Sequence, residues 1–224
     1  MTNLCAHEVA YTYKNKFQTV HAVRGIDYEF SAGHFYAIVG KSGCGKTTFL
    51  SLLAGLDIPS VGSIAFNGAA TDTLNRNDLR RDHIAVIYQS YNLFPLLTVL
   101  ENVMYPLALK KTSRKEAARI AKEQLLAVGL GDEYHRRLPS MLSGGEQQRV
   151  AIARSLVGGH SVILADEPTG NLDTENGTAI IDMLARLAHE QNILVIVVTH
   201  DPEVSSRADV ILSMRDGRLA VGAI

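Results

Sequence analysis

The chain has 224 residues, of which 46% are hydrophobic and 20% charged, enough for one domain with a full core or one domain with a subdomain. Lys plus Arg number 22 against 23 Asp plus Glu, a net charge of −1, so no basic face is forced and nucleic acid is not an expected partner. Two cysteines, Cys5 and Cys44, make no disulfide framework and fit a reducing cytoplasm.

Residues 1–16 show no charged stretch leading an apolar run, so no signal peptide is expected. Residues 1–33 read as antiparallel β, with Val20, Ala22, Ile26, Tyr28 and Phe30 alternating with polar residues. Phe35–Val39 reads as a buried parallel strand. Phe49, Leu50, Leu52 and Leu53 then recur at helical spacing up to Gly55, a C-terminal helix stop. Ile64–Phe66 with Asn67-Gly68 predicts a strand and a tight turn, 75–82 a short polar helix, and Ile84–Tyr88 a buried strand. Residues 90–140 carry helical signals only, including a capping box at Ser113 and Glu116 and a stop at Gly129. Strand and helix alternation resumes with Val162–Ala165, a helix bearing Ile180, Met183, Leu184 and Leu187, then Ile193–Thr199 and Val210–Leu212. Asp216-Gly217 turns a final hairpin. Ile193–Val198 is far too short to span a membrane, so any membrane role is expected through a partner chain.

Three stretches carry chemistry. Gly40-Lys41-Ser42-Gly43-Cys44-Gly45-Lys46-Thr47 reads G-x-x-x-x-G-K-[ST], the phosphate-binding P-loop, between a strand and a helix as that motif requires. Its glycines let backbone N–H groups and a helix N-terminus face phosphate oxygens, while Lys46 adds a full charge and the Thr47 hydroxyl can ligate Mg²⁺. Asp166 and Glu167 end an apolar strand, where one carboxylate can hold Mg²⁺ and the next can orient or deprotonate a water. Leu142-Ser143-Gly144-Gly145-Glu146-Gln147-Gln148-Arg149 opens a helix running to Val157, capped by Ser143 and Glu146, and makes a second phosphate-facing surface.

That last string resembles the signature sequence of ATP-binding cassette (ABC) ATPases, and the resemblance covers essentially the whole chain. It implies an α/β P-loop fold of ABC type, with a mostly parallel core sheet, an antiparallel β subdomain and a helical subdomain. The expected layout is one nucleotide-binding domain over 1–224, with 1–89 and 159–224 as catalytic core plus β subdomain and 90–158 as helical subdomain. It further implies ATP and Mg²⁺ as cofactors, bound by Tyr13 against adenine (Tyr11 is its neighbouring competitor), by Gly40 to Thr48, and by Thr47, Gln89 and Asp166 around the metal. Ser143, Gly144 and Gly145 are implied to cap the γ-phosphate held by a second copy, and Asp173 to cross between the copies. Glu167, His200, Lys46 and Gln89 are the implied catalytic residues.

A narrower resemblance, at Gly170–Asp173, Leu97–Val103 and Pro106-Leu107, is to the macrolide-export, lipoprotein-release and bacitracin-export branch. That implies a separate membrane permease, FtsX-like or macrolide-export-like, with the chain peripheral on the cytoplasmic face of the membrane and residues 91–96 lining the permease groove. The alternatives are an ATPase that drives an FtsX-like protein mechanically without transport, and a soluble ABC ATPase, which the single P-loop and lack of a coiled coil disfavour. Cys44 stands where Ser or Ala is commoner, Thr47-Thr48 replaces Ser-Thr and His34 replaces a common Glu, none of which removes a needed group.

Overall fold

The computed structural model describes residues 2–222. The alternating residues at the start of the chain form two long antiparallel strands, β1 (Asn3–Lys14) and β2 (Thr19–Ser31). Three register shifts between Ala6 and Thr12 rotate the pair, so the odd-numbered Val23 is buried along with Ile26 and Phe30, whereas Val20, which strict alternation would put with Ile26 and Phe30, is exposed. β4 (Val61–Phe66) pairs with β1, then Asn67 (φ 50°) and Gly68 (φ 83°) turn the chain into β5 (Ala69–Ala70). The sheet order is β2-β1-β4-β5.

A second, six-stranded sheet has the order β10-β9-β3-β8-β7-β6. β3 (Phe35–Val39), β6 (Ile84–Ile87), β7 (Val162–Asp166), β8 (Leu194–Thr199) and β9 (Val210–Arg215) are parallel, and β10 (Arg218–Val221) joins antiparallel at one edge. β9 runs three residues past the expected Leu212 because Ser213, Met214 and Arg215 pair with β10 across the Asp216-Gly217 turn.

Helices cover both faces of this sheet, which is why its central strands are continuously apolar rather than alternating. α1 (Lys46–Leu53) buries Phe49, Leu50, Leu52 and Leu53 between the two sheets, against Leu194, Ile196 and Val198 on one side and Leu4, Val9 and Phe30 on the other. α6 (Thr174–Gln191) puts Ile180, Leu184 and Leu187 with Val195 and Val197 on the opposite face. Each such fully buried aliphatic contributes about 1.5–3 kcal/mol. Gly55 and Gly129 close their helices in the expected way, their positive φ letting the next N–H reach back to Ser51 O and Leu125 O. α2 (Arg76–Asp82) is the expected polar helix, capped by Asn75.

α3 (Val99–Leu109), α4 (Arg114–Ala127) and α5 (Gly144–Leu156) pack on one another through Val103, Leu107, Ala117, Ala121, Leu125 and Val150. Residues 90–140 hold no strand, as expected. The box expected at Ser113 is only half formed. Ser113 Oγ accepts from Glu116 N, but the Glu116 carboxylate turns to the Arg119 guanidinium at 2.6 Å, a charged partner one turn along. A complete box lies on α3, where Thr98 and Glu101 cap each other. The remaining helix, α7 (Pro202–Ser206), is capped by Asp201.

Candidate functional site

The parallel strands of the sheet deliver their C-terminal ends to one rim, where open α/β sheets place their chemistry. The P-loop leaves β3 there and enters α1. Its N-cap, Gly45 (φ 108°), has no side chain to cap the helix, so the first-turn amides meet no side-chain acceptor at that position. Two glycines are dictated by neighbours as well as by backbone. A Cβ on Gly45 would lie 2.1 Å from Ala22 O, and one on Gly40 would lie 2.3 Å from Met214 O. β2 and β9 therefore press the loop from behind, and the Gly217 N–H in the β9–β10 turn donates to Cys44 O at 3.0 Å. Lys46 is 7% exposed, and its ammonium donates to Gly40 O at 2.7 Å and Lys41 O at 3.3 Å, which holds the charge at the mouth of the loop. Gly40 to Cys44 line a cleft of about 880 Å³ together with His200, Asp201, Ser205 and Met214.

Thr47 Oγ1 donates to Asp166 Oδ1 at 3.2 Å, joining α1 to the end of β7. Burial pushes the Asp166 carboxyl above its usual range, and the adjacent Glu167 adds to that, against the lowering effect of Thr47 and Lys46. A half-buried carboxylate with a hydroxyl beside it, short of positive charge, suits a hard cation bound through oxygen. Among the described residues no cluster of three or more His, Cys, Asp or Glu could hold a metal alone.

Glu167 follows at φ 46°, a left-handed backbone rare for a glutamate. Its side chain is held from three directions. His200 Nδ1 meets Oε1 at 2.8 Å, while Thr199 Oγ1 and His200 N donate to Oε2 at 3.0 and 3.4 Å. Thr199 was not among the residues singled out from sequence. Its hydroxyl, fully buried at the end of the otherwise aliphatic β8, also accepts from Asp201 N at 3.0 Å.

Tyr13 lies beside this loop, its hydroxyl 3.3 Å from Thr48 Oγ1 and its ring 48% exposed. Tyr11 packs edge-on against it, with ring centroids 4.9 Å apart. Gln89 follows β6, and its amide lies over Gly170, where a Cβ would come within 2.7 Å of Nε2. Its backbone carbonyl accepts from Asn171 Nδ2 at 3.0 Å. The structure thus brings together the P-loop, Asp166, Glu167 and His200, with Tyr13 and Gln89 at the margins.

Ser143, Gly144, Gly145 and Asp173 sit elsewhere, at the starts of α5 and α6. Ser143 and Glu146 form the full capping box that the sequence predicts. Ser143 N donates to Glu146 Oε2 at 2.7 Å and Ser143 Oγ accepts from Glu146 N at 3.3 Å. The serine hydroxyl accepts in that cap, and its O–H lies beside the Glu146 carboxylate. Burial would raise the Glu146 carboxyl, but hydrogen bonds from Ser143 and Tyr134 leave it below its usual range. Among the described residues no hydrogen bond joins 143–145 to the P-loop of the same chain.

A family model described as "ABC transporter" matches residues 23–170. The lipoprotein-releasing system ATP-binding protein LolD of Hydrogenovibrio crunogenus is 45% identical over 190 residues, covering 84% of this chain and 82% of LolD. The macrolide export ATP-binding/permease protein MacB of Brucella melitensis is 42% identical over 215 residues, covering 95% of this chain but 33% of MacB, so the chain spans a third of that longer protein. Among solved structures, the dimeric form of MJ0796, described as a bacterial ABC transporter cassette, is 37% identical with a TM-score of 0.90, covering 96% of each chain. A second MJ0796 structure, a dimeric post-hydrolysis state bound to ADP and Pi, matches equally well. The α/β fold, the P-loop and these similarities agree: the chain belongs to the ABC transporter family, as an ATP-binding and ATP-hydrolysing subunit.

Proposed function

We propose that two copies of this chain close head to tail around ATP, each completing the other's site, and that closure and release drive a separate membrane permease of macrolide-export or FtsX-like kind. One observation carries the dimer. Among the described residues the Ser143 hydroxyl and the α5 N-terminus make no bond with their own P-loop, which leaves this second phosphate-facing surface to the nucleotide of another copy. The dimeric MJ0796 cassette supports the same reading. The similarity to LolD and MacB supports the permease, which would keep the chain at the cytoplasmic face of the membrane. Leu96, 89% exposed, and Phe94, 39% exposed, offer an apolar edge of the proposed helical subdomain, 90–158, to such a partner.

In this reading Tyr13 stacks on adenine, and the loop amides from Gly40 to Thr48, with Lys46, hold the β- and γ-phosphates. Thr47, Asp166 and Gln89 would hold Mg²⁺, which when bound neutralises phosphate charge. Glu167 orients the attacking water and takes its proton, and His200 fixes the Glu167 carboxylate and donates toward the γ-phosphate. Ser143, Gly144 and Gly145 close on the γ-phosphate from the second copy, with Asp173 crossing the interface. Replacing Glu167 by Gln keeps the shape and removes the base. Hydrolysis is expected to fall by about 10²–10⁴ while an ATP-bound dimer accumulates on sizing columns. Turnover near wild type would take the reaction away from Glu167, and an ATP-loaded monomer would remove the dimer.

A further inference from the structure

Asn176, in the first turn of α6, stands outside every motif read from the sequence and touches two of them. Its Nδ2 donates to both carboxylate oxygens of Asp173, at 3.0 and 2.9 Å, and its backbone N–H donates to Asp173 Oδ1 at 2.9 Å. Its Oδ1 accepts from Arg149 Nη1 at 3.3 Å, across to α5. The Arg149 Nε is buried and has no partner among the described residues, so Asn176 is the hydrogen-bonded tether of that guanidinium.

The same amide also touches the signature glycine. A Cβ on Gly145 would fall 2.7 Å from Asn176 Oδ1 and 2.8 Å from its Cγ. Gly145 does not have a positive φ, so its own backbone does not demand glycine, but a methyl there would have to displace the Asn176 side chain. A primary amide is a group that can do both at once, giving an N–H shared between the two oxygens of a carboxylate while its own oxygen accepts from a cation. Ionic hydrogen bonds at both ends make the link stiff.

We infer that Asn176 is a positioning residue that locks the start of the signature helix to the turn bearing Asp173, so that the two interface elements of one copy move as a unit. The inference rests on the head-to-tail dimer proposed above, since it is the second copy that both elements would meet. Asp173 remains an N-cap through the backbone N–H of residue 176 whatever side chain stands there, so the helix itself does not depend on the amide.

The test is run in the Glu167→Gln background, reading the ATP concentration at half-dimerisation by analytical ultracentrifugation. Adding Asn176→Ala is expected to raise that midpoint about tenfold, within the range that coupling between packed neighbours spans. ATP binding by the monomer, titrated below the dimerising concentration, should stay within twofold. Asn176→Asp keeps the volume but puts a carboxylate against Asp173, so it should shift the midpoint at least as far and guards against a cavity effect in the alanine variant. A midpoint unmoved in both variants, with or without a lower Tm, would leave Asn176 a purely structural residue and overturn the inference. Failure of the Glu167→Gln chain itself to dimerise is a separate result, which removes the dimer and this inference together.

Discussion

His200 Nδ1 lies 2.8 Å from Glu167 Oε1, and the Glu167 it meets stands on a left-handed backbone at φ 46°. Backbone strain and side-chain contact thus converge on one carboxylate at the end of the parallel sheet. The Glu167 side chain is 16% exposed and that of His200 71%, so one face of the pair is set by the fold and the other is open to a ligand.

His200→Ala removes the contact to Oε1 but leaves Thr199 Oγ1 and the residue-200 amide on Oε2. ATP hydrolysis is expected to fall about 10²–10³-fold, the usual effect of losing one positioned donor. ATP affinity should stay within a few-fold, because the P-loop is untouched. A steady-state assay beside a binding titration separates the two, and a loss confined to affinity would contradict the placement.

Gly45→Ala tests the way the phosphate loop is pressed into shape. The added methyl would fall 2.1 Å from the Ala22 carbonyl oxygen on β2, at a φ of 108° that an L-residue rarely adopts. Backbone sits at that contact, so no side chain can swing away. The variant should lose roughly 2–4 kcal/mol of unfolding free energy, by analogy with other strained and overpacked sites, together with measurable ATP binding. Denaturant titration and nucleotide binding read both.

Asn102 on α3 is fully buried and holds the 94–98 segment by its amide. Its Oδ1 accepts from Phe94 N at 2.8 Å, and its Nδ2 donates to Phe94 O and Leu97 O at 3.1 and 3.0 Å. Asn102→Ala strands Phe94 N and Leu97 O, at a cost of about 1–3 kcal/mol for each left without a partner, while Phe94 O keeps the Leu97 N–H at 3.2 Å. We expect a lower Tm and faster proteolysis within 93–98 at constant temperature. Unchanged protection of that segment would show that other contacts hold it.

Asp209 contributes to the acid limb of stability. Its Oδ2 accepts from Phe35 N at 2.8 Å and pairs with His189 Nε2 at 2.9 Å, linking the starts of β3 and β9 to α6. Burial alone would raise the carboxyl, but the Phe35 N–H and then His189 bring it below its usual range. A carboxylate lowered in the folded state adds stability above its unfolded pKa, near 3.9, and loses it as pH falls through the lower folded value. Asp209→Asn should therefore flatten the fall in unfolding free energy between pH 5 and pH 2. Parallel curves for the two proteins would place the acid sensitivity elsewhere.

The P-loop, the acidic pair ending β7 and the capped signature helix were all legible in the sequence, because each is local. A glycine spacing, an apolar strand and a cap within eight residues need no tertiary partner to be recognised. The central strands were legible for a related reason: both faces of that sheet are covered, and their apolar runs record it. Where reading failed, a long-range partner had intervened. Strict alternation misplaced Val20 because register shifts in the β1–β2 pair, two of them extra residues in β2, rotate it, and the Ser113 box stayed half open because Arg119 captured Glu116. Thr199, Asn102 and Asn176 carry no local pattern that marks them, since each acts on a residue or segment that only folding brings within reach. The sequence by itself determined that this chain carries the nucleotide site of an ABC ATPase. Tertiary structure alone decided that Met214 and Ala22 shape the phosphate loop, that His200 and Thr199 share Glu167, and that Asn176 ties Asp173 to the signature helix, because hydrogen bonds and close contacts depend on distance in space and leave no fixed spacing along the chain.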